Sequence, residues 1–143
     1  NKHFVVVNKF FLTLGSMKHI PTFKAGSKLN DTYYDFIKAL GIELEEERLI
    51  DKYDQSSWMY IFSGLGTFIG AEIFTWTGKK NHCIYLIDEL VKEEIIEGEK
   101  IDSKIERFFD IKNPAQTRYS YYPRKPKDSE YIDSLILRVK NSL

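Results

Sequence analysis

Hydrophobic residues recur along most of this chain at spacings of three and four, as on one face of an α-helix. The longest such stripe lies within residues 57–78. It consists of Trp58, Ile61, Phe62, Leu65, Ile69, Ile73 and Trp76. The opposite side of this segment is apolar too, and a helix that is hydrophobic all round is usually buried. We therefore predict one long central helix over 57–78, with Gly64, Gly66 and Gly70 packed against a neighbouring element.

Shorter amphipathic helices are predicted on both sides of this segment. The pattern indicates a helix from Asp31 that Gly41 closes, and a further helix over 43–53. Later helices are predicted over 88–97, from Asp102 or Ser103 to the Asn113-Pro114 pair, and from Asp128, which would cap the last helix. The inward positions of that last helix are Ile132, Leu135, Ile136 and Val139.

Three segments have less regular patterns. Residues 4–14 have helical spacing but contain three consecutive valines, which favour a strand; we predict a helix there. Residues 83–87 fit either a short strand or the first turn of a helix. Residues 112–127 contain three prolines and no apolar period, so we expect a loop of about 15 residues, long enough to be functional or mobile.

Together these elements predict a mainly α fold. The chain has 143 residues, of which 43% are hydrophobic, and this suits a single globular domain over residues 1–143. We expect six or seven helices, with a small β element and an α+β fold as the alternative.

Charge is balanced over the whole chain but uneven along it. Lysine plus arginine and aspartate plus glutamate each number 21, which excludes a uniformly basic nucleic-acid-binding protein. Residues 112–127 carry five cations and no acid, whereas 43–47 and 88–99 are strongly acidic.

The basic segment also contains tyrosines, and its chemistry is open to two interpretations. The residues concerned are Arg118, Tyr119, Tyr121, Tyr122, Arg124 and Lys125. Such a mixture binds phosphates and stacks on bases, and it is also typical of protein-interface hot spots. A third interpretation is that the acidic helices neutralise this segment within the fold.

No pattern indicates catalysis, a cofactor or a metal. The histidines His3, His19 and His82 are far apart and lack partners at ligand spacing. The glycines between residues 64 and 70 miss the dinucleotide-binding spacing by one residue. We therefore expect a protein that is not an enzyme and binds no metal or cofactor.

Cysteine usage and hydropathy bear on location. Cys83 is the only cysteine, which favours a reducing compartment, so we predict a cytoplasmic protein. No apolar run approaches the ~20 residues that span a bilayer, so we expect no membrane span.

A small-ligand pocket is a further hypothesis. Glu72 lies in an apolar stretch, and a buried carboxylate must be paired, hydrogen-bonded or neutral. We consider a pocket formed by Glu72, Trp76 and His82. The alternative is that Glu72 pairs with Lys79 or Lys80.

The run Leu65-Gly66-Thr67-Phe68-Ile69-Gly70 resembles an L-G-x-x-x-G helix of small bacterial domains, several of which are encoded beside polymorphic toxins as immunity proteins. In this chain Ala71 stands between Gly70 and the acidic Glu72, where those domains have the glutamate directly after the glycine. The resemblance implies a non-catalytic inhibitor that binds a toxin or effector, with a nuclease as one possibility.

A basic partner of this kind would meet acidic residues of the chain. The residues expected to bind it are Glu45, Glu46, Glu93, Glu94 and Glu97. Acidic surfaces of this kind steer association with a cationic cleft.

Overall fold

The computed structural model describes residues 21–66 and 73–143. Within these ranges it has six helices: α1 (Tyr33–Glu46), α2 (Gln55–Ile61), α3 (Lys80–Lys92), α4 (Ile101–Phe109), α5 (Pro114–Tyr119) and α6 (Glu130–Asn141). The isolated β-bridges in the described part are antiparallel and join Ala25 to Ile96 and Ile50 to Trp76. The predicted mainly α fold is confirmed. The helix predicted over residues 4–14 lies outside the described residues.

Helix α1 is longer than predicted, and its buried apolar residues are Tyr33, Phe36, Ile37, Leu40 and Leu44. Gly41 does not close it; the helix continues to Glu46, and the separate helix predicted over 43–53 is wrong. The backbone of Arg48 then has a φ of 57°, which turns the chain away. After this turn the backbone is extended, and the N–H of Thr77 donates to the carbonyl of Leu49 at 2.9 Å.

The long helix predicted over 57–78 is wrong. Helix α2 ends at Ile61, and Gly64 has a φ of 79°, in the left-handed region that glycine adopts at little cost. Phe74 and Trp76 lie outside any helix, and Trp76 forms an isolated β-bridge with Ile50. Leu65 and Ile73 of the predicted stripe are exposed, and its other described members are buried. The helical spacing therefore does not mark one buried face.

The central buried helix is instead α3. The segment 83–87 belongs to it, and the helix predicted over 88–97 is only its second half, because the chain leaves the helix after Lys92. The buried positions of α3 are His82, Cys83, Ile84, Tyr85, Leu86, Ile87 and Leu90. Helices α5 and α6 both pack against it.

The last three helices agree only in part with the predictions. Helix α4 buries Ile105, Phe108 and Phe109, but it ends at Phe109, before the Asn113-Pro114 pair that was expected to end it. The loop predicted over 112–127 is wrong for residues 114–119, because Pro114 begins α5 and the fixed φ of proline suits the first helical position; residues 120–127 are turns and irregular chain, as predicted. Helix α6 buries its predicted stripe, although its N-cap residue is Ser129 rather than Asp128.

The core is aromatic and centres on Phe23, which is fully buried. Its ring stacks on Phe62 at 4.8 Å and lies 5.8 Å from the ring of Phe108. The backbone around it is tied to two distant loops. The N–H of Phe23 donates to Ile61, and the N–H of Gly26 donates to Ile95. Residues 22–28 therefore join the chain after α2 to the chain after α3.

None of the helices in residues 21–66 and 73–143 combines the length and the apolar character needed to cross a bilayer.

Candidate functional site

Arg118 of α5 lies between α3 and α4 and binds an aspartate on each. Its Nε and Nη2 donate to the two carboxylate oxygens of Asp88 at 2.7 and 3.0 Å. Its Nη2 and Nη1 donate to the oxygens of Asp102 at 2.7 and 3.2 Å. We call these three residues the Arg118 cluster.

The Arg118 cluster carries a net negative charge, because two carboxylates face one guanidinium. These hydrogen bonds raise the pKa of Arg118 above its usual value, so the side chain stays charged. Burial raises the pKa of Asp88, although Arg118 opposes that shift. Four of the five guanidinium N–H groups already donate to carboxylates, so Arg118 has one N–H left for another acceptor such as a phosphate.

Two tyrosines beside this cluster are exposed. Tyr119 is 80% and Tyr122 is 68% exposed, and within the described part of the chain neither hydroxyl has a hydrogen-bond partner. Both line an open groove of about 310 Å³. Its lining residues are Asp102, Ala115, Arg118, Tyr119 and Tyr122. We call it the tyrosine groove.

The other predicted members of the basic segment divide between fold and surface. Tyr121 is half-buried, and burial raises its pKa to about 12. Lys125 donates to Asp133 of α6 at 2.9 Å. Arg124 is exposed, and its side chain has no partner among the described residues. The expectation that the acidic segments neutralise this one is thus confirmed for Arg118 through Asp88, whereas the partner of Lys125 is an aspartate of α6, outside those acidic segments.

The predicted acidic residues lie at the ends of α1 and α3, and most of them have partners. Glu93 binds Lys140, and Glu97 lies 4.0 Å from Lys24. Glu94 accepts a long hydrogen bond from the hydroxyl of Ser27 at 3.5 Å. Glu45 accepts a hydrogen bond from the backbone N–H of Tyr53 at 2.6 Å. Glu46 is exposed and has no partner in the part of the chain described.

Helix α6 brings the two acidic regions together. Arg138 contacts Glu43 and Glu47 of the α1 end at 3.4 and 3.3 Å, while Lys140 contacts the α3 end. Leu137 directly precedes Arg138 in sequence and is 56% exposed. The groove beside it, between α3 and α6, is lined by Glu89, Glu93, Asp133, Ile136, Leu137 and Lys140. We call it the α3–α6 groove.

The structure does not support the predicted pocket. His82 is buried; its Nε2 donates to the carbonyl of Lys127 at 2.8 Å, and its Nδ1 accepts from the hydroxyl of Tyr131 at 2.7 Å. The Nε1 of Trp76 donates to the carbonyl of Lys79 at 2.9 Å. These two side chains hold backbone in place, and Glu72 lies outside the described residues. Among residues 21–66 and 73–143, no three histidine, cysteine or acidic side chains cluster as metal ligands would.

Sequence reasoning missed the residues that organise both grooves. Asp102 lies 16 residues before Arg118, and no local pattern pairs them. Leu137 falls outside the inward stripe of α6 and carried no signal of its own. Tyr119 and Tyr122 were among the predicted residues, but their proximity was not predicted, although Pro114 as a helix start would place them near each other.

Comparison of the chain with protein-family models, with curated proteins and with solved structures gives no match.

Proposed function

We propose that this chain is a non-catalytic protein-binding domain that inhibits a basic protein, in the manner of a bacterial immunity protein. The partner would be a toxin or effector with a cationic site, such as a nuclease. We retain the expectation of a cytoplasmic location, because a single buried cysteine suits a reducing compartment.

The α3–α6 groove carries this proposal. An exposed leucine stands beside Glu89 and Asp133, with Ile136 at the base of the groove. An apolar centre with a charged rim is the usual anatomy of a protein–protein interface. The rim has three carboxylates and one lysine; Glu93 pairs with Lys140 and Asp133 with Lys125, which leaves Glu89 without an ion pair among the described residues. This excess of negative charge favours a basic partner, since complementary charge accelerates association and selects the partner.

A non-catalytic role is supported by the state of the one thiol. Cys83 is fully buried in α3, and burial raises its pKa well above the usual value. A thiol of this kind is not a nucleophile at neutral pH, because the reactive species is the thiolate.

The nucleic-acid alternative loses support from the pairing of its cations. Arg118 and Lys125 both bind carboxylates of neighbouring helices. Phosphate binding depends on cations that are free to replace counterions. Two of the three cations named for that role are thus already engaged.

The first experiment is capture of a partner on the tagged chain at low and high salt, followed by calorimetry with the purified partner. Leu137→Arg tests the α3–α6 groove. Leu65→Arg is the matched control, because Leu65 is 57% exposed and lies in the chain after α2. We expect the Kd to rise at least about tenfold for Leu137→Arg and to stay within about twofold for Leu65→Arg.

Inhibition needs a separate readout. The captured protein is expressed in a host with and without this chain, and we expect growth to be arrested without it and restored with it. Equal Kd values for the two variants would remove the α3–α6 groove from the interface. Capture of nucleic acid alone, lost at high salt, would replace the proposal with the nucleic-acid alternative.

A further inference from the structure

Tyr119 and Tyr122 have the largest exposed fractions among the large hydrophobic side chains of the described residues. They are three residues apart, at the end of α5 and in the turn that follows, so they lie on the same side of that turn. Exposed tyrosines with unpartnered hydroxyls offer large, rigid contact surfaces at low cost in side-chain entropy.

The backbone that carries these rings is held in place. The N–H of Tyr122 donates to the carbonyl of Arg118 at 2.9 Å, and the N–H of Arg124 donates to the carbonyl of Tyr121 at 2.9 Å. The Arg118 side chain anchors this turn to α3 and α4. The tyrosine groove is therefore formed before any ligand arrives, which lowers the entropic cost of binding.

The charge of the groove favours a cation over an anion. Arg118 has committed all three of its guanidinium nitrogens to carboxylates, so it offers an approaching phosphate little. The side chain of Asp102 remains 37% exposed and lines the groove. Asp88 does not line the groove but binds the same guanidinium, so the Arg118 cluster beside the groove has two carboxylates against one cation.

We propose that the tyrosine groove binds an arginine or lysine side chain of the protein partner, held by the faces of Tyr119 and Tyr122 and by the carboxylate of Asp102. The negative face of an aromatic ring attracts a cation, and the guanidinium of arginine also stacks on it. The assignment of this side chain to a protein partner rests on the proposed function. The affinity of the groove for a cation does not depend on it.

The test is an NMR titration of the isotope-labelled chain with N-acetyl-arginine amide. N-acetyl-citrulline amide, which has nearly the same shape without the charge, is the matched ligand control. We expect saturable shifts of the Tyr119 and Tyr122 signals with the arginine compound and binding at least about fivefold weaker with citrulline.

Variants separate the parts of the groove. We expect Tyr119→Leu and Tyr122→Leu each to weaken arginine binding about two- to fivefold, and Asp102→Asn to weaken it further. Tyr34→Leu is the control, since Tyr34 is an exposed tyrosine on α1 and should not change binding. Asp102 also binds Arg118, so the melting temperature of Asp102→Asn is recorded. If that variant is unfolded, the two leucine variants alone decide the test.

Several outcomes would overturn the inference: no saturable shift with arginine amide, equal shifts with citrulline amide, or stronger shifts with inorganic phosphate or an oligonucleotide. The titration needs no partner, so its failure is distinct from a failure of the capture experiment. If a partner binds through the α3–α6 groove while arginine amide does not bind, the proposed function stands and this inference falls.

Discussion

The indole N–H of Trp58 donates to the backbone carbonyl of Ile37 at 2.7 Å, in the middle of α1. An α-helix already pairs that carbonyl with the N–H of residue 41, so the indole shares an acceptor that lies inside a helix. Residue 41 is glycine, and a Cβ there would stand 2.7 Å from the Trp58 nitrogen. The missing side chain is what lets the indole reach the carbonyl.

Gly41→Ala should therefore destabilise the protein. Helix propensity alone would stabilise α1 by about 1 kcal/mol. The clash with Trp58 and with the Tyr53 ring, 2.4 Å from the added Cβ, should cost about 1–3 kcal/mol and prevail. Denaturant unfolding decides the sign, and a variant more stable than wild type would contradict the packing described. In the Trp58→Phe background the penalty should shrink, because the smaller ring relieves part of the clash.

Arg118→Met should lower the free energy of unfolding by about 1–3 kcal/mol, because it leaves Asp88 and Asp102 close together without their shared cation. Arg124→Met is the matched control: Arg124 is exposed, so its loss should change stability by less than about 0.5 kcal/mol. Both are measured by urea unfolding. Equal effects for the two variants would mean that the Arg118 cluster contributes little. Adding Asp102→Asn to Arg118→Met should recover part of the loss.

Cys83 should react with a thiol reagent only when the protein unfolds. Its side chain is fully buried in α3, and its raised pKa keeps it protonated. We expect labelling of the native protein to be about a thousandfold or more slower than labelling in denaturant, because only the small fraction of unfolded molecules exposes the thiol. Complete labelling within minutes in the absence of denaturant would place the thiol at the surface.

Stability should fall as the pH rises above about 10. Burial raises the pKa of Tyr33 and Tyr121 above the ordinary value of 10.0, so the folded state holds these protons more tightly than the unfolded state. Raising the pH through that range therefore favours unfolding. Burial lowers the pKa of Lys104, and this effect alone would make stability rise with pH. It comes from one group and opposes the effect of the two tyrosines.

Urea unfolding from about pH 8 to about pH 11.5 measures this slope. Tyr33→Phe should reduce the slope, because it removes one of the groups that titrate. Stability that stays level or increases over this range would contradict the assignment of these tyrosines as buried.

The sequence predicted helices well where one helix buries one stripe. Helix α6 shows this clearly, since Ile132, Leu135, Ile136 and Val139 all face the core. The helix prediction from apolar spacing was wrong over 57–78, where the apolar residues come from α2 and from non-helical chain beyond it. Apolar spacing alone does not show that Gly64 turns the backbone after α2, nor that Leu65 and Ile73 of the stripe are exposed.

The candidate site was less predictable for a related reason. The sequence identified Arg118 and Tyr119 as notable residues, but the role of Arg118 depends on Asp88, 30 residues away, which only tertiary packing brings near. Charge counted along the chain suggested a free basic segment. In the folded structure Arg118 is neutralised by two aspartates and lies beside the exposed rings of Tyr119 and Tyr122.

The pairing of residues 22–28 with two distant loops has a kinetic consequence. Thr22 bonds to a residue 43 positions away and Ser27 to one 67 positions away, so this short segment closes two long loops at once. Loops of that length are costly to close before other contacts hold their ends, and topologies rich in such contacts fold more slowly than bundles with local contacts. Native secondary structure should form ahead of this segment, and the amide of Phe23 should exchange its hydrogen only when the whole molecule opens. Although its secondary structure is helical, the chain should fold at a rate nearer to that of a mixed α/β domain.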